Sequence, residues 1–334
     1  MDHASPTRPG RRVVLAGSVA AALAAPAAAR AQASVTLRLA HVAPGRSDYQ
    51  SAAERMAAAV RPSGVNVTIL PGGTLGDLTQ LWAQLRTAAI DLHLIDVGGL
   101  VALREGRHFG VLQVPFLFRD RAHWDRFVAS DLLREMMEPV EAAANIRWVG
   151  YLGARPPRAL STTRRAVHAP DDLRGLKLRT AEMPAVVEAF RRWGASPTPL
   201  RAPEVYNALQ TGLVDGQDNG VTDTVSAGYA DLQRHYAALD YLHSGMGLWA
   251  SAPAWARLGT ERQAALRAAC ATAAREGDAA LDAQVAEAYA ALAAKGVAVT
   301  RPDPEPFRAS LAPWIAESDG QRWPAGLHAR IAAL

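Results

Sequence analysis

Three short β-rich runs, residues 35–40 (VTLRLA), 65–70 (VNVTIL) and 92–97 (LHLIDV), alternate with helical patterns at residues 49–60 and 78–88. Strands alternating with helices of this length build βαβ units, so the spacing predicts an α/β fold around a mostly parallel sheet. Pro71-Gly72-Gly73 ends the second run, and Pro115-Phe116-Leu117-Phe118 forms an apolar plug ahead of a helix expected over residues 124–137. A second series follows. Strands are expected at 146–152 and 176–179, helices at 184–193 and 203–211, and an extended link at 198–200. Residues 260–294 form one alanine-rich helical tract with a break expected near Gly277. At about 1.5 Å per residue, that tract is long enough to cross more than one domain. No repeat or low-complexity linker divides the 334 residues, which favours two α/β lobes with interleaved segments over two separate domains.

Arg11-Arg12 precede residues 13–29, an uncharged stretch of apolar and small side chains, and Ala29-Arg30-Ala31 and Ala31-Gln32-Ala33 offer small-x-small cleavage sites. This order makes residues 1–33 a secretory signal peptide. The stretch is shorter than the roughly 20 residues that span a bilayer. Its paired arginines fit the twin-arginine export signal. An ordinary secretory leader also carries arginines, so both routes stay open, with the twin-arginine one preferred. The mature chain is expected in the periplasm.

The formal charge is +4, of which residues 1–33 supply +3 through Arg8, Arg11, Arg12 and Arg30 against Asp2. The remainder carries no concentrated basic stripe, which argues against nucleic acid as a partner. Cys270 is the only cysteine, excluding an intrachain disulfide framework, a cysteine-rich zinc site and a CxxC pair. No GxSxG, HExxH, P-loop or helix-opening GxGxxG is present, and no two histidines have the i, i+4 spacing of a zinc site. An enzyme is therefore disfavoured; no catalytic residue, metal or cofactor is expected.

The informative stretch runs from Arg158 to Asn219. Asp171-Asp172-Leu173-Arg174-Gly175 reads as one helical turn closed by glycine, feeding the strand Leu176-Lys177-Leu178-Arg179. Alternation sends Leu176 and Leu178 to the core, and Lys177 and Arg179 to the other face. Arg179 ends the strand, and ligands of open α/β sheets bind beyond the carboxyl ends of strands. A guanidinium there can grip a carboxylate with two parallel hydrogen bonds, although an arbitrary arginine is more often structural.

The whole stretch closely resembles the solute-binding receptors of tripartite ATP-independent periplasmic (TRAP) transporters, the DctP-like family. Arg158 is followed by Pro170-Asp171-Asp172-Leu173-Arg174-Gly175-Leu176-Lys177-Leu178-Arg179, then Gly194-Ala195-Ser196-Pro197-Thr198-Pro199. Glu204 to Gly212 (EVYNALQTG) and Val214-Asp215-Gly216-Gln217-Asp218-Asn219 complete the gap-free match. The resemblance implies a two-lobed periplasmic-binding-protein-like fold with a hinge and a long helix packed across both lobes. Lobe I is expected over residues 34–155 and about 245–284, and lobe II over 156–244 and about 285–334.

The same resemblance implies that Arg179 makes the principal salt bridge to a ligand carboxylate, that Arg158 adds a second contact, and that Asn219 lines the cleft. Gln210, Gln217, Glu204 and Tyr206 are expected to be structural. Compared with sialic-acid receptors, Val42, Leu78 and Ala202 replace residues of the ligand contact set, Glu182 replaces an asparagine, and His108 stands for an acidic residue ahead of the plug. Gly220 replaces a proline. Polar partners for a large sugar acid are missing, which leans toward a compact or partly apolar acid. The candidate binding set is Arg179, Arg158, Asn219, Glu182 and His108. The implied function is capture of a small organic acid and delivery to the small and large membrane permease subunits, by a monomer. A sensory input protein and a periplasmic enzyme are the competing readings.

Overall fold

A computed structural model describes residues 1–4 and 34–334. The expected signal-peptide core, residues 13–29, lies outside the described residues. The described residues form eleven strands: β1 (Val35–Ala40), β2 (Val65–Leu70), β3 (Leu92–Asp96), β4 (Ile146–Ala154), β5 (Arg158–Thr162), β6 (Lys177–Thr180), β7 (Ser196–Pro199), β8 (Gly216–Asn219), β9 (His235–Leu242), β10 (Gly245–Ser251) and β11 (Ala298–Thr300). They form two sheets, β2-β1-β3-β10-β4 and β11-β9-β5-β8-β6-β7. Each sheet with its helices is one lobe, and the fold is two-lobed α/β.

The sheets are mixed rather than mostly parallel. β1 pairs in parallel with β2 and β3, and β6 with β7 and β8, each through the helical crossover that parallel pairing requires. β10 runs antiparallel to β3 and β4, and β5 antiparallel to β8 and β9. The cause is the connection between lobes. The chain leaves the first sheet from β4 straight into β5 and returns from β9 straight into β10. These two passages lie side by side: Ala154 faces Gly245, Arg158 faces Leu242, and the Arg155 amide donates to the Ser244 carbonyl at 3.0 Å.

Lobe I packs its sheet around Trp82, Trp249, Leu37, Leu39 and Phe109. Lobe II packs Leu178, Phe190, Trp193 and Tyr241 on one side of its sheet and Tyr236, Ala288 and Leu292 on another. The helix expected over 124–137 is two, Arg121–Ala129 and Asp131–Ala144, because the Ser130 hydroxyl accepts from the Leu133 amide and caps the second. The long helix is Ala252–Ala294, and its non-helical residue is Gly259 (φ 70°, ψ 165°), not Gly277. Gly277 has a different job. A Cβ there would come within 2.6 Å of Arg55 Nη2, so its absence leaves room for the Arg55 guanidinium of the helix Asp48–Val60. The front of the long helix packs on the lobe I core through Leu266 and Cys270, and its end on lobe II through Leu292.

Two segments depart from the expected lobe boundaries. Phe116 (φ 62°) sits in the lobe I sequence, but its amide donates to the Tyr241 carbonyl at 2.7 Å and its ring packs on the lobe II core near Trp193. Residues 285–334 do not all belong to lobe II. Phe307 and Leu311 do, whereas Trp314, Trp323, Leu327 and Ile331 return to the lobe I core. The Ile331 carbonyl accepts from His123 Nε2 at 2.8 Å, and the Ala332 carbonyl from Arg119 Nη1 at 2.7 Å. The reason is that widely spaced tryptophans announce burial without saying against which core. No helix among the described residues is long and apolar enough to cross a membrane.

The close packing of β8 makes a test. A Cβ on Gly216 would lie 2.3 Å from the Ser161 carbonyl oxygen and 2.9 Å from Leu178. Gly216→Ala is expected to cost at least about 1–3 kcal/mol by overpacking, read as a lower denaturant midpoint; an unchanged midpoint contradicts the packing described.

Candidate functional site

The turn into β6 is built from its own sequence. Pro170–Leu173 forms a short 3-10 helix, Asp172 accepts from the His168 and Ala169 amides at 2.7 and 3.0 Å, and Gly175 closes it at φ 73°. Glycine is needed there because side chains disfavour the left-handed region. Asp215, from the loop before β8, accepts from the Lys177 amide at 2.9 Å and fixes the start of β6. Alternation then works as expected: Leu178 is buried in the core, Lys177 is exposed, and Arg179 points to the opposite face.

That face borders a cavity of about 390 Å³ between the lobes, within the range of small-molecule sites. Arg179, Arg158, Asn219 and Glu182 all line it. Arg179 is only 4% exposed. Its Nε and Nη2 both donate to the Leu200 carbonyl, at 3.0 and 2.7 Å, and among the described residues no carboxylate forms a salt bridge with it. Burial lowers its pKa from the ordinary arginine value, and the charge of nearby Asp218 offsets this only in part. Arg158 differs. Its Nε donates to Asp218 Oδ2 at 2.7 Å and its Nη2 to the Asp218 carbonyl at 2.7 Å. Burial opposes its charge, but Asp218 more than compensates and raises its pKa well above the ordinary value. Tyr241 also donates to Asp218 Oδ2, leaving Oδ1 without a hydrogen-bond partner. Two guanidiniums therefore share one buried carboxylate.

Asn219 Nδ2 donates to Gln217 Oε1 at 2.7 Å, and Gln217 Nε2 donates to Ser161 Oγ at 2.8 Å. Gln217 is thus structural, orienting Asn219 from β8. Gly220, where the resemblance implies a proline, has φ −63°, within a proline ring's range, but a Cβ there would lie 3.0 Å from Pro156 Cβ and 3.1 Å from the Pro156 carbonyl oxygen. Glu182 is exposed at the rim.

His108 is a correction. It lies outside the cleft lining, half-buried, with Nε2 donating to the Met136 carbonyl at 2.9 Å and its ring against Phe109. The acidic residues that do line the lobe I side are Asp77 and Asp96, the latter at the carboxyl end of β3. The strand-end rule that singled out Arg179 applies equally to Asp96. Gln113 lines the same wall and was also missed; nothing in its local sequence marks it. Glu204, expected to be structural, does cap the Arg201 amide at 3.0 Å but also borders the cleft. Val42, Leu78 and Ala202 all line it, so these departures from the sialic-acid pattern fall on the cavity wall. Among the described residues no group of three or more His, Cys, Asp or Glu could hold a metal ion.

A family model for bacterial extracellular solute-binding proteins, family 7, matches residues 39–320. The chain belongs to that family. A solute-binding protein of Roseobacter denitrificans is 27% identical over 89% of this chain and 90% of its own. The sialic acid-binding periplasmic protein of Vibrio cholerae is 28% identical over 76% of this chain and 78% of its own. A TRAP periplasmic solute-binding protein from a Bordetella species, with density interpreted as pantoate, superposes with a TM-score of 0.82 at 28% identity, covering 89% of this chain and 98% of that one. Members of family 7 are extracellular or periplasmic solute-binding proteins rather than enzymes, and the Vibrio relative binds sialic acid, an organic acid.

Among the described residues, contacts span the lobes at the mouth of the cavity and on its hinge side. At its mouth, Arg201 Nη2 pairs with Asp77 Oδ2 at 2.9 Å, with Asp77 also capping the helix Leu78–Arg86. Arg201 is half exposed, and such a pair is worth at most about 1 kcal/mol. Arg201→Ala is therefore expected to shift the ligand-free open–closed equilibrium toward open by no more than about fivefold. Spin labels on engineered cysteines, one per lobe, would read this as a change in the distance distribution. Cys270 is buried and its thiol is pushed up to about 12 by desolvation, so it should not compete for label.

On the hinge side, Thr222 Oγ1 donates to both Asp48 oxygens at 3.3 and 3.2 Å, next to the Arg155–Asp223 ion pair and the Arg155 guanidinium stacked over Tyr49. Desolvation first, and then the Asp223 charge, raise the Asp48 pKa from 3.8 to about 6 against the opposing pull of Arg155, Thr222 and Arg55. The folded state therefore holds this proton more tightly than the unfolded one. The stability it contributes is complete below the ordinary carboxylate range and is lost as pH rises through about 6. Melting curves from about pH 4 to pH 7 should show a decline in the parent that Asp48→Asn lacks; parallel profiles would remove Asp48 as the titrating group.

Proposed function

We propose that this chain is the periplasmic receptor of a TRAP transporter, capturing one small organic acid in the inter-lobe cavity and handing it to the small and large permease subunits. It acts as a monomer after export, preferably by the twin-arginine route, with no metal in the site. Arg179 takes the carboxylate, Arg158 adds a second guanidinium held in place by Asp218, and Asn219 and Glu182 complete the polar lining. One observation carries this reading: Arg179 is buried at the cleft without an acidic partner of its own.

Magnitudes say how the site must work. A charge-assisted hydrogen bond contributes about 1.5–3 kcal/mol net, whereas micromolar affinity needs about 8 kcal/mol. Apolar contact with Val42, Leu78 and Ala202, and exclusion of water as the lobes close, supply the rest. The ligand favours the closed state only through contacts that are better there than in the open one. The wall at those three positions suits a compact keto, hydroxy or aromatic acid better than a sugar acid of the sialic type.

A thermal-shift screen of the mature chain against carboxylic acids identifies the ligand, since binding to the folded state raises the melting temperature. Arg179→Ala is then expected to weaken that ligand at least about a hundredfold in calorimetry, because a carboxylate is left unpaired in a dry cleft. Unchanged affinity removes Arg179 from the site.

A further inference from the structure

The two walls of the cleft are chemically unlike. The lobe II wall carries the guanidinium pair, where Arg158 and Arg179 face a single carboxylate, Asp218. One positive charge is left over, enough for one ligand carboxylate. The lobe I wall instead presents acceptors. Asp96 Oδ1 accepts from the Gly98 amide at 2.9 Å, and no side chain in the described residues forms a salt bridge with this carboxylate. Beside it, Gln113 is 3% exposed; its Nε2 donates to the Gly98 carbonyl at 3.3 Å, and its Oε1 has no hydrogen-bond partner. The orientation of that amide follows from its neighbour: turning it over would set oxygen against the Gly98 carbonyl oxygen. Gly98 thus holds the Asp96 carboxylate and the Gln113 amide, whose unsatisfied oxygen is buried, and both residues line the cleft.

A buried acceptor without a donor is costly, and a ligand that brings the donor removes that cost. A ligand that brings a second carboxylate meets the Asp96 charge instead. Of the other cations on the lining, Arg155 is paired with Asp223 and Arg201 with Asp77, while Arg46 is exposed, where water and salt screen it. We infer that Asp96 and Gln113 select a monocarboxylate whose far end carries a hydrogen-bond donor, a hydroxyl or an ammonium, and reject dicarboxylates; this rests on the receptor reading above. The donor end meets lobe I while the carboxylate meets lobe II, so the same ligand bridges the walls and favours closure.

The test uses matched acids that share one skeleton and differ only at the far end: valerate, γ-hydroxybutyrate, γ-aminobutyrate and glutarate, with a branched set built the same way around pantoate. Binding to the mature chain is measured by thermal shift and calorimetry. In whichever set binds, the hydroxyl or ammonium member is expected to bind at least about tenfold more tightly than the methyl member, with no detectable binding of the dicarboxylate. Asp96→Asn should narrow the gap against the dicarboxylate, and should weaken an ammonium ligand more than a hydroxyl one. If methyl or dicarboxylate members bind as tightly as the donor-bearing ones, the selectivity is overturned while the receptor reading stands. Silence across every set and across the wider acid screen overturns both. Gln113→Leu is a second variant, expected to lower affinity for the hydroxyl member and leave the methyl member unchanged; equal loss for both counts against Gln113.

Discussion

A guanidinium cannot shed its charge inside a protein, so burying one creates a demand that the surrounding structure must meet. Arg158 has that demand met by Asp218, which is buried with it and further held by Tyr241. Arg179 does not. It has one backbone carbonyl, Leu200, and a share of the field of Asp218. The motif around it, from the Asp172 turn to the Asp215 brace, keeps this incompletely compensated charge fixed at the end of β6. An anion entering the cleft completes what the chain leaves open, and the proposed receptor function is that completion.

The hinge explains how completion can be felt by the whole molecule. Two chain passages cross between the sheets as one antiparallel ribbon, and the long helix and the Phe116 ring tie the lobes at separate points. The direct contacts beside the cleft are an exposed ion pair at the mouth and, at the rear, a hydroxyl bridge to Asp48 and the buried Arg155–Asp223 pair. A ligand tips an open–closed balance only by as much as its affinity differs between the two states. A strong latch would hold the cleft shut with nothing in it.

Much of this was legible in the chain. The first strand–helix series is readable because β-branched runs bounded by Pro-Gly turns have few other uses, and Arg179 because alternation along a four-residue strand leaves it one face. The resemblance carried Asn219 to the cleft lining, where Gln217 orients it. What failed has physical reasons. Gly259 and Gly277 look alike in sequence, yet one bends the helix and the other admits a neighbouring side chain. The final tryptophans return to lobe I because partner choice depends on the path of the chain between lobes, which composition does not encode. The resemblance sets His108 in place of an acidic residue ahead of the proline plug, whereas the 3-10 segment Arg104–Gln113 carries it away to the Met136 carbonyl. Gln113 ends that same segment and is brought to the cleft by it.

The strands that present Arg158, Arg179 and Asn219 all belong to one sheet, while Asp96 ends a strand of the other. The proposed anchor and the proposed discriminator therefore sit on different sheets. Drift on the lobe I wall can retune which acid is admitted without disturbing the grip on its charged end. For the same reason, grafting that wall alone is a rational way to redirect such a protein toward a new cargo.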